Sequence, residues 1–293
     1  MNKNTKILFW IVAIILTALL SIYQRQTGPT IAKKVKISLD NQEYNLKFPR
    51  SLTIGENTIT LNIKDTTINA KFFYKRYPTN ESFAYLNFER NSNGELFLEV
   101  PPQKKAGKIQ YYIEINDKTL FENDPLVLRF KGYVPPAIII PHIIFMFLSM
   151  LFALYGLLLA IFNLKNIKKY IILTLISIII GGFIFGPLLQ NYAFGVYWSG
   201  FPFGGDLTDN KTLLVLVLLL ANLPFLNKKI LRITSIITFI IMILIFTIPH
   251  SLKGSQLNYK TQQIESSANL QQAFIYPNGS MVLQLHILNP IGK

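Results

Sequence analysis

Hydrophobic residues follow two different rhythms along this chain. In the N-terminal 23 residues and again beyond residue 135 they form long, nearly unbroken runs, whereas between residues 24 and 133 they alternate with polar ones. Five runs stand out: Ile7–Tyr23, Ile143–Phe162 with an apolar lead-in from Ala137, Tyr170–Leu189, Thr212–Leu226 and Ile230–Ile248. About 17 to 25 apolar residues in a helix cross a bilayer core, so each run is expected to span a membrane. The fourth is short and holds Asn222 and Pro224, so it is expected either to begin as early as Leu207 or to be re-entrant. The first reads as an uncleaved anchor. Its apolar core is long for a signal peptide, and no A-x-A cleavage site follows it.

The alternating stretch is a different kind of polymer. Val35, Ile37 and Leu39 alternate with Lys36, Ser38 and Asp40; Ile59, Leu61 and Ile63 with Thr60, Asn62 and Lys64. Further on, Ile109, Tyr111, Ile113 and Ile115 alternate with Gln110, Tyr112 and Glu114, and Leu126, Leu128 and Phe130 with Val127, Arg129 and Lys131. A period of two puts one set of side chains on one face of a strand. Weaker strands are expected at Glu43–Phe48, Thr67–Tyr74, Phe83–Arg90 and Glu95–Val100, with turns at Asn93-Gly94 and Asn116-Asp117. Seven or eight short strands in about 100 residues imply an antiparallel β-sandwich.

That pattern, with the segment Val100-Pro-Pro-Gln-Lys-Lys-Ala-Gly-Lys-Ile-Gln-Tyr-Tyr-Ile-Glu-Ile115, resembles a bacterial Ig-like or fibronectin-III-like module over residues 30–133. The resemblance implies a domain that binds, spaces or braces. The Cys–Trp–Cys core of antibody domains is absent, because the chain has no cysteine. That absence also excludes disulfides, Cys-ligated zinc and Fe–S centres, and c-type haem attachment.

The formal net charge is +14. Its distribution argues against nucleic acid, because the bases flank the apolar runs or are spread over the alternating stretch. Lys3 and Lys6 precede the first run, Lys165, Lys168 and Lys169 separate the second and third, and Lys228, Lys229 and Arg232 separate the fourth and fifth. All three clusters fall on one side, which the positive-inside rule makes cytoplasmic. The expected architecture is therefore a plasma (inner) membrane protein with five spans, N-terminus in and C-terminus out. An anchor (residues 1–23) leads to an extracytoplasmic β-sandwich (24–135) and a four-helix transmembrane bundle (136–250), with spans at about 137–162, 170–189, 208–226 and 230–249. An outer tail (251–293) closes the chain. Within it the Gln-, Ser- and Asn-rich stretch up to Gln272 reads as a linker, with strands expected at Phe274–Tyr276 and Ser280–Leu288. No P-loop or dinucleotide fingerprint occurs, and the cytoplasmic connectors are too short to hold a catalytic domain.

Candidate chemistry then gathers on the outer side. The loop Asn191–Lys211 carries Asp206 and Asp209, the only acids between Asp124 and Glu265. Around them lie Tyr192, Phe194, Tyr197, Trp198, Phe201 and Phe203, which suit an interfacial aromatic belt. His142 opens the second span, His250 ends the fifth, and His286 lies in the tail. His142, His250, Asp206 and Asp209 are plausible ligands for a transition metal, and two histidines on neighbouring helices for a b-type haem. The plain alternative is that one aspartate caps the fourth helix and the histidines sit at headgroup depth. Gly182 and Gly186 form a GxxxG match that permits close helix packing. Three functions follow as expectations. The first is a non-catalytic subunit or scaffold of a membrane complex, with a membrane-protein partner or a second copy of itself. The others are an outer-face metal or haem enzyme, and a small transporter with a broken fourth helix.

Overall fold

The computed structural model describes residues 2–40, 42–249 and 254–266. His250, His286 and the strands expected at 274–276 and 280–288 lie outside these residues. Among the described residues four helices are long and apolar enough to cross a membrane: Lys3–Thr27, Pro136–Ile161, Ile167–Phe194 and Leu207–Phe225. A fifth apolar helix, Leu231–Thr247, is 17 residues long, about 25 Å at 1.5 Å per residue.

The first helix, α1 (Lys3–Thr27), starts where the Asn2 side chain accepts a hydrogen bond from the Thr5 amide at 2.8 Å, a polar N-cap. It packs against α2 (Pro136–Ile161) and α6 (Leu231–Thr247), burying Phe9, Ala13 and Thr17. The anchor thus joins the other helices in one bundle. Trp10 stacks on Tyr155 of α2, ring centroids 4.1 Å apart. Met150, Ala153, Leu154, Ile171, Leu175, Val215, Phe239 and Met242 fill the bundle core. Apolar side chains such as Ile14, Ile144, Ile176, Val217, Ile233 and Leu244 face outwards.

The third long helix changes pitch part-way. It runs as α3 (Ile167–Ile178), a π-helical stretch (Ile179–Phe185) and α4 (Gly186–Phe194). The two glycines in the wide stretch allow close approach. A methyl added to Gly182 would lie 2.6 Å from Thr212 Cγ2, and one added to Gly181 would lie 2.9 Å from Phe145 Cβ. The next helix, α5 (Leu207–Leu220), gives way at Ala221–Asn222 to a 3-10 turn, Leu223–Phe225. There the Asn222 amide donates to Leu218 O (2.8 Å) and to Thr238 Oγ1 of α6 (2.7 Å), so the break is a polar tie between helices.

The alternating stretch forms eleven strands: β1 (Lys33–Leu39), β2 (Gln42–Phe48), β3 (Ser51–Thr53), β4 (Thr58–Leu61), β5 (Ala70–Arg76), β6 (Ala84–Asn87), β7 (Glu89–Arg90), β8 (Leu96–Glu99), β9 (Lys108–Ile115), β10 (Lys118–Leu120) and β11 (Leu126–Lys131). One sheet has the order β3-β11-β9-β5-β6 with β10 beside β9; β4-β8-β7 and the hairpin β1-β2 are separate. All three share one core, in which Phe48, Phe72, Tyr111 and Phe130 are fully buried. Each such side chain contributes roughly 1.5–3 kcal/mol over remaining in water. All pairs are antiparallel except β3–β11, which is parallel, a departure from the all-antiparallel expectation. Strand β3 had no clear alternation to announce it.

A second departure concerns the tail. Ser255–Leu257 (β12) and Ile264–Ser266 (β13) pair as a hairpin in a stretch whose composition reads as linker. The hairpin lies against the β-region: the Leu257 amide donates to Ala106 O (3.0 Å), and the Lys108 amide to the Tyr259 hydroxyl (3.0 Å).

Candidate functional site

The site lies where the β-region, the hairpin β12–β13 and the connector between α4 and α5 meet. Helix α4 ends at Gly195, whose positive φ of 84° closes the last turn with its amide bonded to Asn191 O at 2.8 Å. The connector is therefore Gly195–Asp206, shorter than the aromatic loop suggested, and Tyr192 stands exposed on α4. Trp198 stacks near Phe183 with centroids 5.6 Å apart, and its indole N–H donates to Phe201 O at 3.1 Å. Phe201 and Phe203 are exposed. Gly200 lies tight against α5, since an added Cβ would come within 2.6 Å of Asp209 Cβ.

Asp206 caps α5. Its Oδ1 accepts from the Thr208 amide (2.8 Å) and its Oδ2 from the Ser199 hydroxyl (3.0 Å). Asp209 lies in the first turn of α5, where the helix dipole favours a carboxylate. Its Oδ2 accepts from the Ser199 amide (2.7 Å) and from the Gln190 amide nitrogen (3.1 Å). Ser199 Oγ is also 3.0 Å from Ser255 Oγ of the hairpin. Both carboxylates therefore converge on Ser199, with Gln190 and Ser255 closing the group.

The β-region brings cations to the same place. Exposure is 4 % for Asp206, 8 % for Asp209, 6 % for Lys108, 7 % for Arg129 and 5 % for Lys211. Five ionisable groups inside one joint far exceed what an incidental contact buries. Lys108, at the start of β9, donates through Nζ to Gln256 Oε1 at 2.5 Å. Burial pushes its ammonium down to about 7; Arg129 adds repulsion, and the charge of Asp206 opposes both. Arg129 is likewise lowered by burial against the support of Asp206, and its guanidinium lies 5.6 Å from the Phe194 ring centroid. Lys211 in α5 donates to the Ile248 carbonyl at the end of α6, 2.7 Å away. Next to these groups the Gly132 amide donates to Ala193 O (2.8 Å), and a Cβ on Gly132 would overlap the Tyr192 carbonyl oxygen. Backbone thus meets backbone across the joint.

Arg129 overturns one detail of the strand pattern. Alternation sets it on the outer face between Leu128 and Phe130, yet it is buried because α4 covers that face. Lys108, Ser199, Gln190, Ser255 and Gln256 carried no sequence signal. Each is unremarkable alone and gains its meaning from three segments far apart in the chain.

His142 stands elsewhere, inside α2, with Nδ1 2.8 Å from Gly181 O of the π-helical stretch. A carbonyl only accepts, so Nδ1 carries the proton. Gly186 borders the same imidazole, 3.9 Å from the His142 ring for an added Cβ, while Gly182 faces Thr212. Among the described residues no group of three His, Cys, Asp or Glu could hold a metal ion, and His250 lies outside them. Both oxygens of Asp206 and Oδ2 of Asp209 accept from amides and hydroxyls.

A cavity of about 460 Å³ opens on the β-region between β5, residues 101–104 and the hairpin. Arg76, Glu81, Lys104 and Tyr259 line it, with Arg76 and Glu81 paired at 2.5 Å. Comparison with protein-family models, curated proteins and solved structures finds no match.

Proposed function

We propose that the chain is a non-catalytic integral membrane protein that presents its β-region as the interaction surface of a membrane complex. The observation that carries this reading is the buried joint. The acids of the loop, the best candidates for chemistry, hold Ser199, the hairpin and the β-region together through both oxygens of Asp206 and Oδ2 of Asp209. A scaffold needs a rigidly held outer domain, and the joint supplies one. By the distribution of Lys and Arg, the β-region and hairpin lie outside a plasma membrane and the three basic clusters inside. The Ig-like or fibronectin-III-like reading of the β-region fits this role.

The test uses native membranes. The solubilised chain is expected to migrate in an assembly larger than itself and to crosslink to a partner through the β-region. Gly132→Leu, which wedges the joint apart, should release the assembly while leaving membrane insertion intact. A chain that runs as a monomer and crosslinks to nothing would overturn the proposal.

A further inference from the structure

At the end of the bundle away from the β-region, α1, the α2–α3 connector and α3 enclose a cavity of about 550 Å³. Buried Tyr155 and Tyr170 form its floor together with Leu159, and each enclosing element adds one exposed lysine: Lys6, Lys165 and Lys169. Three like charges converging on one hollow repel each other unless an anion joins them. The helices and the connector that enclose it hold no acid. No acid occurs before Asp40, between Asp124 and Asp206, or between Asp209 and Glu265.

Three neighbouring cations at this end are already satisfied. Arg232 donates to Ala160 O (2.9 Å) and Ile161 O (3.1 Å) at the end of α2; Lys168 donates to Asn227 Oδ1 (3.2 Å); Lys228 lies over the Phe225 ring. Lys6, Lys165 and Lys169 make no side-chain hydrogen bond or ion pair with any described residue. Lys3 and Lys229 of the same clusters likewise have no described partner, but only Lys6, Lys165 and Lys169 share a walled space.

We propose that this cavity binds the phosphate of an anionic phospholipid headgroup. The volume lies in the range of small-molecule sites, and basic pockets between membrane helices suit such headgroups. The surroundings favour lipid over free phosphate. Ile7, Leu8, Ile161 and Phe162, adjacent in sequence to the lining residues, are exposed and apolar, so acyl chains can lie beside the phosphate. The proposal rests on the helices crossing a bilayer. It is independent of the joint at the other end.

The test uses the full chain in nanodiscs of phosphatidylcholine, with or without phosphatidylglycerol, and reads lipid retained after detergent extraction together with thermal stability. Wild type is expected to retain phosphatidylglycerol and to be stabilised by it. K6Q/K165Q/K169Q should bind it about a hundredfold more weakly, about fivefold per lysine. K3Q/K228Q/K229Q, with the same loss of charge outside the cavity, should behave as wild type. If the cavity triple variant fails to insert, Lys169→Gln alone carries the comparison, with a loss of about fivefold expected. Equal losses in both triple variants would overturn the site in favour of unspecific surface charge. Stabilisation of detergent-solubilised wild type by inorganic phosphate alone, matching that by phosphatidylglycerol, would overturn the lipid assignment. Failure of wild type to enter phosphatidylcholine nanodiscs would instead refute the bilayer-spanning premise.

Discussion

Replacing Lys108 with methionine removes one buried cation from the joint and leaves an apolar side chain of comparable reach. In the closed joint Lys108 titrates at about 7, because burial and Arg129 disfavour its charge more than Asp206 supports it. Opening the joint returns it to water, where lysine titrates near 10.4. Between those values the open state binds more protons than the closed one, so closure strengthens as pH rises and weakens as pH falls towards 7. From pH 7 to pH 9 the gain is about 2 kcal/mol, or roughly fortyfold in protection of any amide exposed by opening. The Ser199 amide, bonded to Asp209 Oδ2 at 2.7 Å, is such a probe. Hydrogen exchange in detergent micelles, corrected for intrinsic exchange at each pH, should show the rise in wild type. Lys108→Met should reduce it. Equal pH dependence in the two proteins would refute the account of Lys108 as a partly neutralised, buried member of the joint.

Other substitutions address neighbouring links. Asp206→Asn keeps a capping oxygen for α5 but removes the charge facing Lys108 and Arg129; a loss of about 1–3 kcal/mol is expected, with Asp206→Ala about 1 kcal/mol worse because the cap goes too. Thermal unfolding in detergent checks both, and variants as stable as wild type would contradict the cap and the charge contact. Gly182→Ala should destabilise the bundle by about 1–3 kcal/mol through overlap with Thr212, and Thr212→Ser, which removes the offending methyl, should restore much of it; a double-mutant cycle without coupling would count against the close approach. Gly132→Ala, which collides with the Tyr192 carbonyl, should speed proteolytic cleavage around residues 132–135, seen by mass spectrometry of timed digests; unchanged cleavage would mean that the backbone contact to α4 adds little.

The sequence was most legible where one periodicity acts over many residues. Apolar runs marked the long helices, and alternation marked β1, β4, β9 and β11, because burial of one face repeats every second residue. Legibility failed where a residue's environment is made by distant segments. Arg129 obeys alternation in sequence and breaks it in space, since α4 arrives from some 60 residues later to cover it. The hairpin β12–β13 has polar composition, and its pairing partner is the Ala106–Lys108 backbone rather than an apolar face. Asp206 was readable as a cap from Asp-Leu-Thr-Asp alone. That Asp209 would share Ser199 with it was not, because the contact requires Gly200 to bring the connector against α5.

The chemistry of the joint follows from where it lies. Beside a bilayer, an apolar patch on the bundle end gains little by meeting the β-region, because lipid tails offer an equally apolar surface. Hydrophobic burial then discriminates poorly between the correct lid and the membrane itself. Directional groups do discriminate: lipid tails cannot donate to Asp209 as the Ser199 amide and Gln190 do, or accept from the Gly132 amide as Ala193 O does. Burying five ionisable side chains carries a desolvation penalty that hydrophobic replacements would avoid, and burial is the main cause of the lowering at Lys108. In return these directional bonds favour one seating of the β-region over others. Apolar substitution throughout the joint should therefore leave stability similar or higher while letting the β-region sample other positions, a loss visible as broadened distances between spin labels on β6 and on α5.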